Sequence, residues 1–209
     1  SKEEKTIILS EIKKKKVLRD LDDHFVLELL DCYLVKHPKL IVKLKGKGSF
    51  QKSREFKTII RDVRSVLHDI YGLFNFDKKK VEKLLKEKCL DLNWHIKILK
   101  CSKSTSERLN YYPIIYEQIW SEIGEIKSIS DLGCGLNPFS LPYMGLKNVK
   151  YYAYELTYGY CDVINNYFKL AKVNGECENI DLLKIKKLPR ADVCFMFKVL
   201  DGLEQIKLN

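Results

Sequence analysis

The amino-acid sequence predicts an α/β fold in which an all-α N-terminal part precedes a parallel β-sheet. Apolar residues recur at helical spacing through the first half of the chain, whereas short strand-like and helix-like segments alternate after Gly124. Such alternation is typical of parallel α/β sheets. The largely apolar run at 191–197 has the character of a strand that is buried on both faces.

Helices are predicted in the first half wherever an apolar stripe has a start or stop signal. Pro38 ends one of them, because the residue before a proline avoids helical backbone. The glycine-containing segment 40–50 is predicted as a basic loop, and a loop that follows a short strand is the alternative. Asp77 is a predicted N-cap, and Ser104 starts a capping box for a helix that is kinked near Pro113. The predicted helices cover residues 6–19, 21–36, 52–74, 78–89 and 104–123.

Four strands and two helices are predicted in the second half. The strands cover 127–133, 149–156, 179–183 and 191–197, and the helices cover 137–144 and 160–173. The third strand has the weakest pattern. In open parallel sheets, ligands bind at the carboxyl ends of the strands. We therefore expect the functional side chains just after each strand.

Charge is distributed unevenly along the chain. Residues 1–110 contain 27 Lys and Arg and 16 Asp and Glu, a net charge of +11, whereas residues 111–209 contain 11 and 12, a net charge of −1. A basic part joined to a neutral one is typical of nucleic-acid binding, and solvated lysine-rich helix faces are the alternative interpretation. The candidate contacts to an RNA backbone are Lys13, Lys14, Lys45, Lys47, Arg61, Arg64, Lys79 and Lys80.

The composition excludes several classes of protein. No uncharged apolar stretch reaches the roughly 18 residues that a membrane-spanning helix needs, and the first residues contain no apolar signal core. The seven cysteines are scattered and none forms a CxxC pair, so we expect reduced, mostly buried thiols and no metal site. These features predict a cytoplasmic protein without a membrane partner.

The segment Asp131–Pro138 is the strongest candidate for a ligand site. It reads Asp-Leu-Gly-Cys-Gly-Leu-Asn-Pro at the end of the first predicted strand, and its two glycines let a ligand approach the backbone closely. A dinucleotide site would instead have GxGxxG followed by a helix that receives the pyrophosphate. The Leu-Asn-Pro continuation favours a pocket for an amino-acid moiety that is attached to a nucleoside.

Further candidates follow the later strands. Glu155 ends the second strand, 20 residues after Gly135, where a carboxylate can accept both ribose hydroxyls. A solvated strand end is the alternative interpretation. Asp181 can receive an adenine amino group, with Leu182 beside the ring. Lys198 follows the fourth strand, where a substrate-contacting side chain is common, and a basic residue at a helix start is the alternative.

Residues 104–205 resemble the aminoglycoside-resistance 16S ribosomal RNA methyltransferases. The resemblance lies in the glycine segment with its Leu-Asn-Pro continuation and in the block Ser-Thr-x-Glu-Arg-Leu that begins at Ser104. The other matching segments are Leu141–Met144, Tyr152–Glu155, Asp181–Leu183, Ala191-Asp192, Lys198 and Leu203–Gln205.

The resemblance implies a Rossmann-like class I methyltransferase sheet, S-adenosylmethionine as the cofactor, and N7 of a guanine in small-subunit ribosomal RNA as the target. Arg108 would bind the cofactor carboxylate, Glu155 would bind the ribose, and Lys198 would position the substrate. Because N7 carries a free lone pair, no general base is needed and catalysis would be mainly alignment. The implied cofactor-binding residues are Arg108, Asp131, Gly133, Gly135, Asn137, Pro138, Glu155, Leu156, Asp181, Leu182 and Gln205.

The predicted domains are a basic helical domain at 1–102, which docks on the small ribosomal subunit, and a methyltransferase domain at 103–209. The sequence departs from the family pattern at Ser102, where His is usual, and at Ser106, where Arg is usual. We find four of the seven strands of such a sheet, so we expect it to be incomplete at its C-terminal side or completed by a second chain or a further segment. The alternatives are a methyltransferase for another RNA, such as transfer RNA, and a truncated or split protein that binds cofactor and RNA without catalysis.

Overall fold

A computed structural model describes residues 2–19, 21–45, 50–72 and 76–200. These residues form two compact units, a helical unit within residues 2–72 and a sheet unit within residues 76–200. Each unit has buried apolar residues of its own. No helix in these ranges is long and apolar enough to cross a membrane.

The helical unit is built from amphipathic helices around a small apolar core. Within the described ranges its helices are α1 (Lys2–Lys13), α2 (Asp23–Lys36), α3 (Pro38–Lys45) and α4 (Arg54–Gly72), with single 3-10 turns at Lys16–Leu18 and Phe50–Lys52. Ile12, Leu30 and Ile59 are fully buried in the core. The start of α2 is fixed by Asp22, whose carboxylate accepts the N–H of Phe25 at 2.9 Å.

Two sequence predictions are wrong in the helical unit. The first helix covers Lys2–Lys13 instead of 6–19, and residues 40–45, predicted within a basic loop, belong to α3. His37 does leave the helical region, with φ −122° and ψ 57°. Pro38 then begins a new helix, because proline is pre-organised for the first helical position. Of the rest of that predicted loop, residues 46–49 lie outside the described ranges and Phe50 begins a 3-10 turn.

The sheet unit contains a parallel sheet with helices before and between its strands. The strands are β1 (Ser128–Leu132), β2 (Lys150–Glu155), β3 (Gly175–Asn179) and β4 (Val193–Phe195). The strand order is β3-β2-β1-β4, and every neighbouring pair is parallel. The helices described in this unit are α5 (Lys78–Leu85), α6 (Leu92–Leu99), α7 (Lys103–Arg108), α8 (Tyr112–Ile123), α9 (Leu141–Met144) and α10 (Tyr158–Ala171).

One hydrophobic core fills the sheet unit. Side chains that alternate along the strands, such as Ile129 and Tyr151, belong to the same cluster as Trp94, Phe139 and Tyr167. Helices α5 and α6 also contribute to this cluster, so residues 76–102 pack with the sheet. The boundary predicted at 102/103 separates a ribosome-docking part of the chain from a cofactor-binding part, and this division by role stays a prediction.

The predicted parallel α/β class is confirmed, but the third strand lies earlier than expected. It covers Gly175–Asn179 instead of 179–183, and only Cys177 in it is buried. At the edge of the described sheet, β3 carries mostly polar side chains, so it lacks the apolar pattern by which strands are predicted. Asp181 and Leu182 come after the strand, and Leu182 lies in a turn.

The helix predicted at 104–123 is two helices. Ser102 is the N-cap of α7, so Ser104 lies inside the helix and the predicted capping box does not form. Pro113 lies in the first turn of α8 rather than at a kink, because a missing N–H is tolerated there. Helix α6 has no counterpart among the predicted helices. All seven cysteines are free, and fewer are buried than expected, namely Cys134, Cys161 and Cys177.

Candidate functional site

The turn that follows β1 brings the backbone to an open surface. Gly133 and Gly135 have φ of +62° and +50°, a left-handed conformation that favours glycine. A Cβ at Gly133 would lie 2.6 Å from Val199 Cγ2, whereas a Cβ at Gly135 would meet no described atom within 4 Å. Gly133 is therefore required for packing, and Gly135 leaves room for a ligand beside the backbone.

A buried hydrogen-bond network holds this turn from below. Asp131 is 1% exposed, and its Oδ2 accepts from Tyr151 Oη at 2.6 Å and from Asn137 Nδ2 at 2.9 Å. Asn137 Oδ1 in turn accepts from Tyr112 Oη at 3.3 Å and Tyr116 Oη at 3.4 Å. The network ties α8 and β2 to the segment after the turn. Asp131 and Asn137 thus lie beneath the turn rather than on its open side.

Burial controls the ionisation of this network. It raises the pKa of Asp131 to about 6, although the hydrogen bonds from Tyr151 and Asn137 act in the opposite direction. It also raises the pKa of Tyr112 to about 12. At 1% exposure, the Asp131 carboxylate is shielded from a ligand on the open side of the turn. The position of Asp131 therefore suits a support for the turn.

Glu155 connects the end of β2 to the glycine turn. Its Oε2 accepts the N–H of Gly135 at 3.1 Å and its Oε1 accepts the N–H of Leu156 at 2.9 Å. Burial raises the pKa of Glu155, and backbone N–H groups including that of Thr157 oppose this shift. Three backbone N–H groups leave one of the four carboxylate lone pairs, so the group can still accept a hydrogen bond from a ligand hydroxyl.

Arg108, the last residue of α7, has a buried N–H donor without an acceptor among the described residues, near the glycine turn. Its Nη1 donates to Ser104 Oγ at 2.8 Å, and its guanidinium carbon lies 5.8 Å from the ring centre of Tyr112 and 4.9 Å from that of Phe197. Its Nε is buried and meets no acceptor among the described residues. A buried donor without an acceptor is costly unless a ligand completes it. Arg108 is therefore suited to bind an anion.

Three consecutive residues after β4 close the site. Phe197 lies over Arg108, Lys198 forms an ion pair with Glu107, and Val199 packs where a Cβ of Gly133 would be. Together they join the end of β4 to α7 and to the glycine turn.

A small pocket brings the predicted anion-binding arginine and the glycines together. It lies at the C-terminal edge of the sheet, as expected for ligand sites in open α/β folds. The residues that line it are Ser102, Ser104, Thr105, Arg108, Gly133, Cys134, Gly135, Leu136 and Phe197. Ser104 and Phe197 were not selected from the sequence as site residues. The spacing of Ser104 and Arg108, four apart on one helix, is the signal that could have found the first of them.

The ends of β2 and β3 lie beside each other at the same edge. Asn179 Nδ2 donates to the carbonyl oxygens of Glu155 at 3.1 Å and Leu156 at 2.7 Å. Asp181 follows closely and pairs with Lys184 at 3.3 Å. Glu155 is the last residue of β2, Leu156 follows it directly, and Asp181 lies two residues after the end of β3 rather than within that strand. Gln205 lies outside the described residues.

Several of the predicted RNA contacts have partners inside the helical unit. Arg64 Nη2 and Nε donate to the carbonyl oxygens of Glu11 at 2.5 Å and Ile12 at 3.3 Å, so this side chain caps the C-terminal end of α1. The ion pairs are Lys13 with Asp23, Lys14 with Glu11, and Arg61 with Asp62. Exposed ion pairs exchange easily, so Lys14 and Arg61 stay available to phosphate, whereas Arg64 is used structurally.

The other predicted RNA contacts differ in position. Lys79 and Lys80 are exposed on α5, which belongs to the sheet unit. Lys47 and the side chain of Lys45 lie outside the described part of the chain. Within the helical unit, one basic groove is lined by three predicted residues, Lys14, Arg61 and Arg64, and by three that the sequence analysis did not select, Lys15, Lys52 and Lys57.

Comparisons with known proteins give a consistent result. A family model described as ribosomal RNA methyltransferase (FmrO) matches residues 32–208. A 16S rRNA (guanine(1405)-N7)-methyltransferase of Proteus mirabilis is 31% identical over 129 residues, which cover 53% of this chain and 46% of the relative. One of Micromonospora rosea is 28% identical over 114 residues, covering 54% of this chain and 42% of the relative. The matched part spans less than half the length of these curated relatives.

Solved structures agree with the fold over most of the chain. The 16S rRNA methylase RmtB superposes with a TM-score of 0.74 at 23% identity, covering 96% of this chain and 74% of that protein. The 16S rRNA methyltransferase RmtF, solved with S-adenosylhomocysteine, gives a TM-score of 0.73 at 24% identity, covering 96% of this chain and 71% of that protein. These matches confirm the α/β sheet with its preceding helical part.

Proposed function

The chain belongs to the FmrO family of ribosomal RNA methyltransferases, and from this we propose that it is an S-adenosylmethionine-dependent enzyme that methylates N7 of a guanine in small-subunit ribosomal RNA. The observation that carries the proposal is the convergence of Arg108, the Gly133–Gly135 turn and Glu155 at one edge of the sheet. The curated relatives name guanine 1405 of 16S rRNA as their target, and we propose the corresponding guanine here.

The residues at this edge fit the cofactor. The unfilled Nε of Arg108 suits its carboxylate, since a guanidinium binds carboxylates strongly. The open side of Gly135 leaves room for the methionine chain, and the remaining lone pair of the Glu155 carboxylate can accept a ribose hydroxyl. Asp181 and Leu182 follow β3, where they would bind the adenine. When bound, S-adenosylmethionine supplies an electrophilic methyl group.

Other predicted cofactor residues would act by supporting the turn. Asp131, Asn137 and Pro138 are buried, and the first two hold the turn through hydrogen bonds to each other. We propose that they position the glycine backbone without touching the cofactor. Leu156 would contact the nucleoside, because it follows Glu155 directly.

The protein's contribution to the chemistry would be alignment. Guanine N7 has a free lone pair, so the reaction needs no residue to remove a proton before the methyl group is transferred. Lys198 would then position the RNA near the cofactor, as its place after β4 suggests. Its ion pair with Glu107 is exposed and would exchange readily for a phosphate.

The proposed partner is the small ribosomal subunit. Net positive charge in residues 1–110 favours contact with the phosphate backbone, and the groove lined by Lys14, Lys15 and Lys57 is a candidate contact surface. Such an enzyme would work in the cytoplasm, where the ribosomes are, and its product would give the aminoglycoside resistance that the resemblance implies. A second chain or further segment that completes the sheet stays a prediction.

The test is transfer of a labelled methyl group. Protein and labelled S-adenosylmethionine are incubated with isolated small subunits, naked 16S rRNA and transfer RNA, and the nucleosides are separated. We expect 7-methylguanosine in the small subunits, and its loss in Arg108→Ala. Label in transfer RNA alone would overturn the ribosomal target. Cofactor binding without transfer to any RNA would favour a protein that binds cofactor and RNA without catalysis.

A further inference from the structure

The segment after β4 carries an aromatic ring that is part of the arginine site. The ring centre of Phe197 lies 4.9 Å from the guanidinium carbon of Arg108, inside the range of a cation–π contact. Tyr112 lies 5.8 Å from the same carbon. Phe197 also lines the pocket that Arg108 shares with Gly133 and Gly135. The guanidinium therefore has two aromatic neighbours at the site itself.

The contact with Phe197 holds the guanidinium without using its donors. Nη1 of Arg108 donates a hydrogen bond to Ser104 Oγ, and Nε has no acceptor among the described residues. An aromatic face attracts the cation through its quadrupole and accepts no strong hydrogen bond. A carboxylate in the place of Phe197 would bind the donors that a ligand needs. The neighbouring anion, Glu107, is itself paired with Lys198.

We propose that Phe197 is a positioning residue that holds Arg108 ready for the carboxylate of the cofactor. This inference rests on the proposed function, because it concerns the same site. Phe197 acts through Arg108, so its effect depends on the carboxylate of the ligand and is absent for a ligand that lacks one. Tyr112 supports the guanidinium from a longer distance and also serves the Asn137 network, so it is the poorer residue to test.

Two ligands separate this role from a general packing role. S-Adenosylhomocysteine carries the amino-acid group, and 5′-methylthioadenosine has the same thioether nucleoside without it. We expect Phe197→Leu to weaken S-adenosylhomocysteine binding by about three- to tenfold and to leave 5′-methylthioadenosine binding within about twofold. Phe197→Tyr keeps an aromatic face and should bind both ligands as the unchanged protein does. In an Arg108→Ala background, Phe197→Leu should cause no further loss.

Calorimetric titration of each variant with both ligands measures these affinities, and thermal melting confirms that each variant is folded. If Phe197→Leu weakens both ligands equally, or neither, the inference is overturned. If Phe197→Leu does not fold, the comparison of Phe197→Tyr with Phe197→Met gives the same readout, since only the former keeps the ring. If the unchanged protein binds neither ligand, the proposed function itself fails. If it binds both ligands and Phe197→Leu changes their affinities by the same factor, only the inference about Phe197 fails.

Discussion

The two units use arginine in opposite ways. In the helical unit, Arg64 donates to the carbonyl oxygens of Glu11 and Ile12 and so caps α1. In the sheet unit, Arg108 donates to Ser104 but keeps a buried Nε without an acceptor in the described residues. The first side chain completes the fold, and the second keeps a donor that we propose binds a ligand. Residue type and net charge alone do not distinguish the two.

The difference extends to the other candidate residues. Those of the sheet unit follow strands whose carboxyl ends meet at one edge, so the backbone brings Gly135 and Glu155 within hydrogen-bond distance. In the helical unit, Lys14, Arg61 and Arg64 line one groove, but their charged groups lie at the ends of long side chains, so backbone geometry does not fix them at one point. Lys13 illustrates this, because its ammonium group binds Asp23 and the carbonyl oxygen of Leu21. A site defined by backbone geometry is therefore easier to locate than one defined by charge.

The largest expected effect is from a methyl group at Gly133. Gly133→Ala adds a Cβ 2.6 Å from Val199 Cγ2 at φ +62°, and we expect a loss of unfolding free energy of about 2–4 kcal/mol together with loss of S-adenosylhomocysteine binding. Gly145→Ala is the matched control, because Gly145 has φ +65° with no described atom within 4 Å of its Cβ. The control should lose only about 1 kcal/mol in urea unfolding. Equal losses would contradict the role of Val199.

The network beneath the turn should make stability depend on pH. The pKa of Asp131 is about 6 in the folded protein and about 3.9 in an unfolded chain. The folded state therefore holds this proton more tightly, and its contribution to stability falls as pH rises from about 4 to about 6. Asn at this position cannot ionise. As pH rises from 4 to 7, we therefore expect the unfolding free energy of Asp131→Asn to increase by about 2 kcal/mol relative to that of the unchanged protein. Urea unfolding at both pH values measures this difference, and a constant difference would contradict it.

Features with a local sequence signature can be predicted from this sequence, whereas contacts between residues distant in sequence cannot. The sequence predicts a glycine turn after β1 and Glu155 at the end of β2, and the structure has both there, because left-handed glycines and strand ends have local signatures. Their roles toward a cofactor stay predictions. The contact between Phe197 and Arg108 joins residues that are far apart in sequence, so no local pattern reveals it. β3 was misplaced because its exposed polar residues hide the strand pattern.

Lys198 should affect the RNA more than the cofactor. We expect Lys198→Met to lower kcat/KM for methyl transfer to small subunits by about three- to tenfold, with S-adenosylhomocysteine affinity changed less than about twofold. Glu107→Gln removes the ion pair but keeps the ammonium group, so its transfer rate should be close to that of the unchanged protein. An equal loss in both variants would show that the ion pair, rather than the lysine, matters.

The smallest expected effect concerns single surface cations. Lys79→Ala with Lys80→Ala should weaken binding to a small-subunit RNA fragment a few-fold and reduce the slope of log affinity against log salt by about 2, since two phosphate contacts are removed. Lys13→Ala is the contrast, because its side chain is 22% exposed and paired within the helical unit. It should leave the salt slope unchanged. Fluorescence anisotropy over a salt series compares the two, and a change in slope for Lys13→Ala alone would contradict the assignment.

The most direct test is a calorimetric titration with S-adenosylhomocysteine of two arginine variants, one from each unit. The unchanged protein should bind one equivalent, and Arg108→Ala should bind at least about tenfold more weakly, since a charge-assisted hydrogen bond to the carboxylate is lost. Arg61→Ala, which removes an exposed arginine of the helical unit, should bind as tightly as the unchanged protein. Equal affinity in Arg108→Ala, or a loss in Arg61→Ala alone, would contradict a cofactor site at the glycine turn.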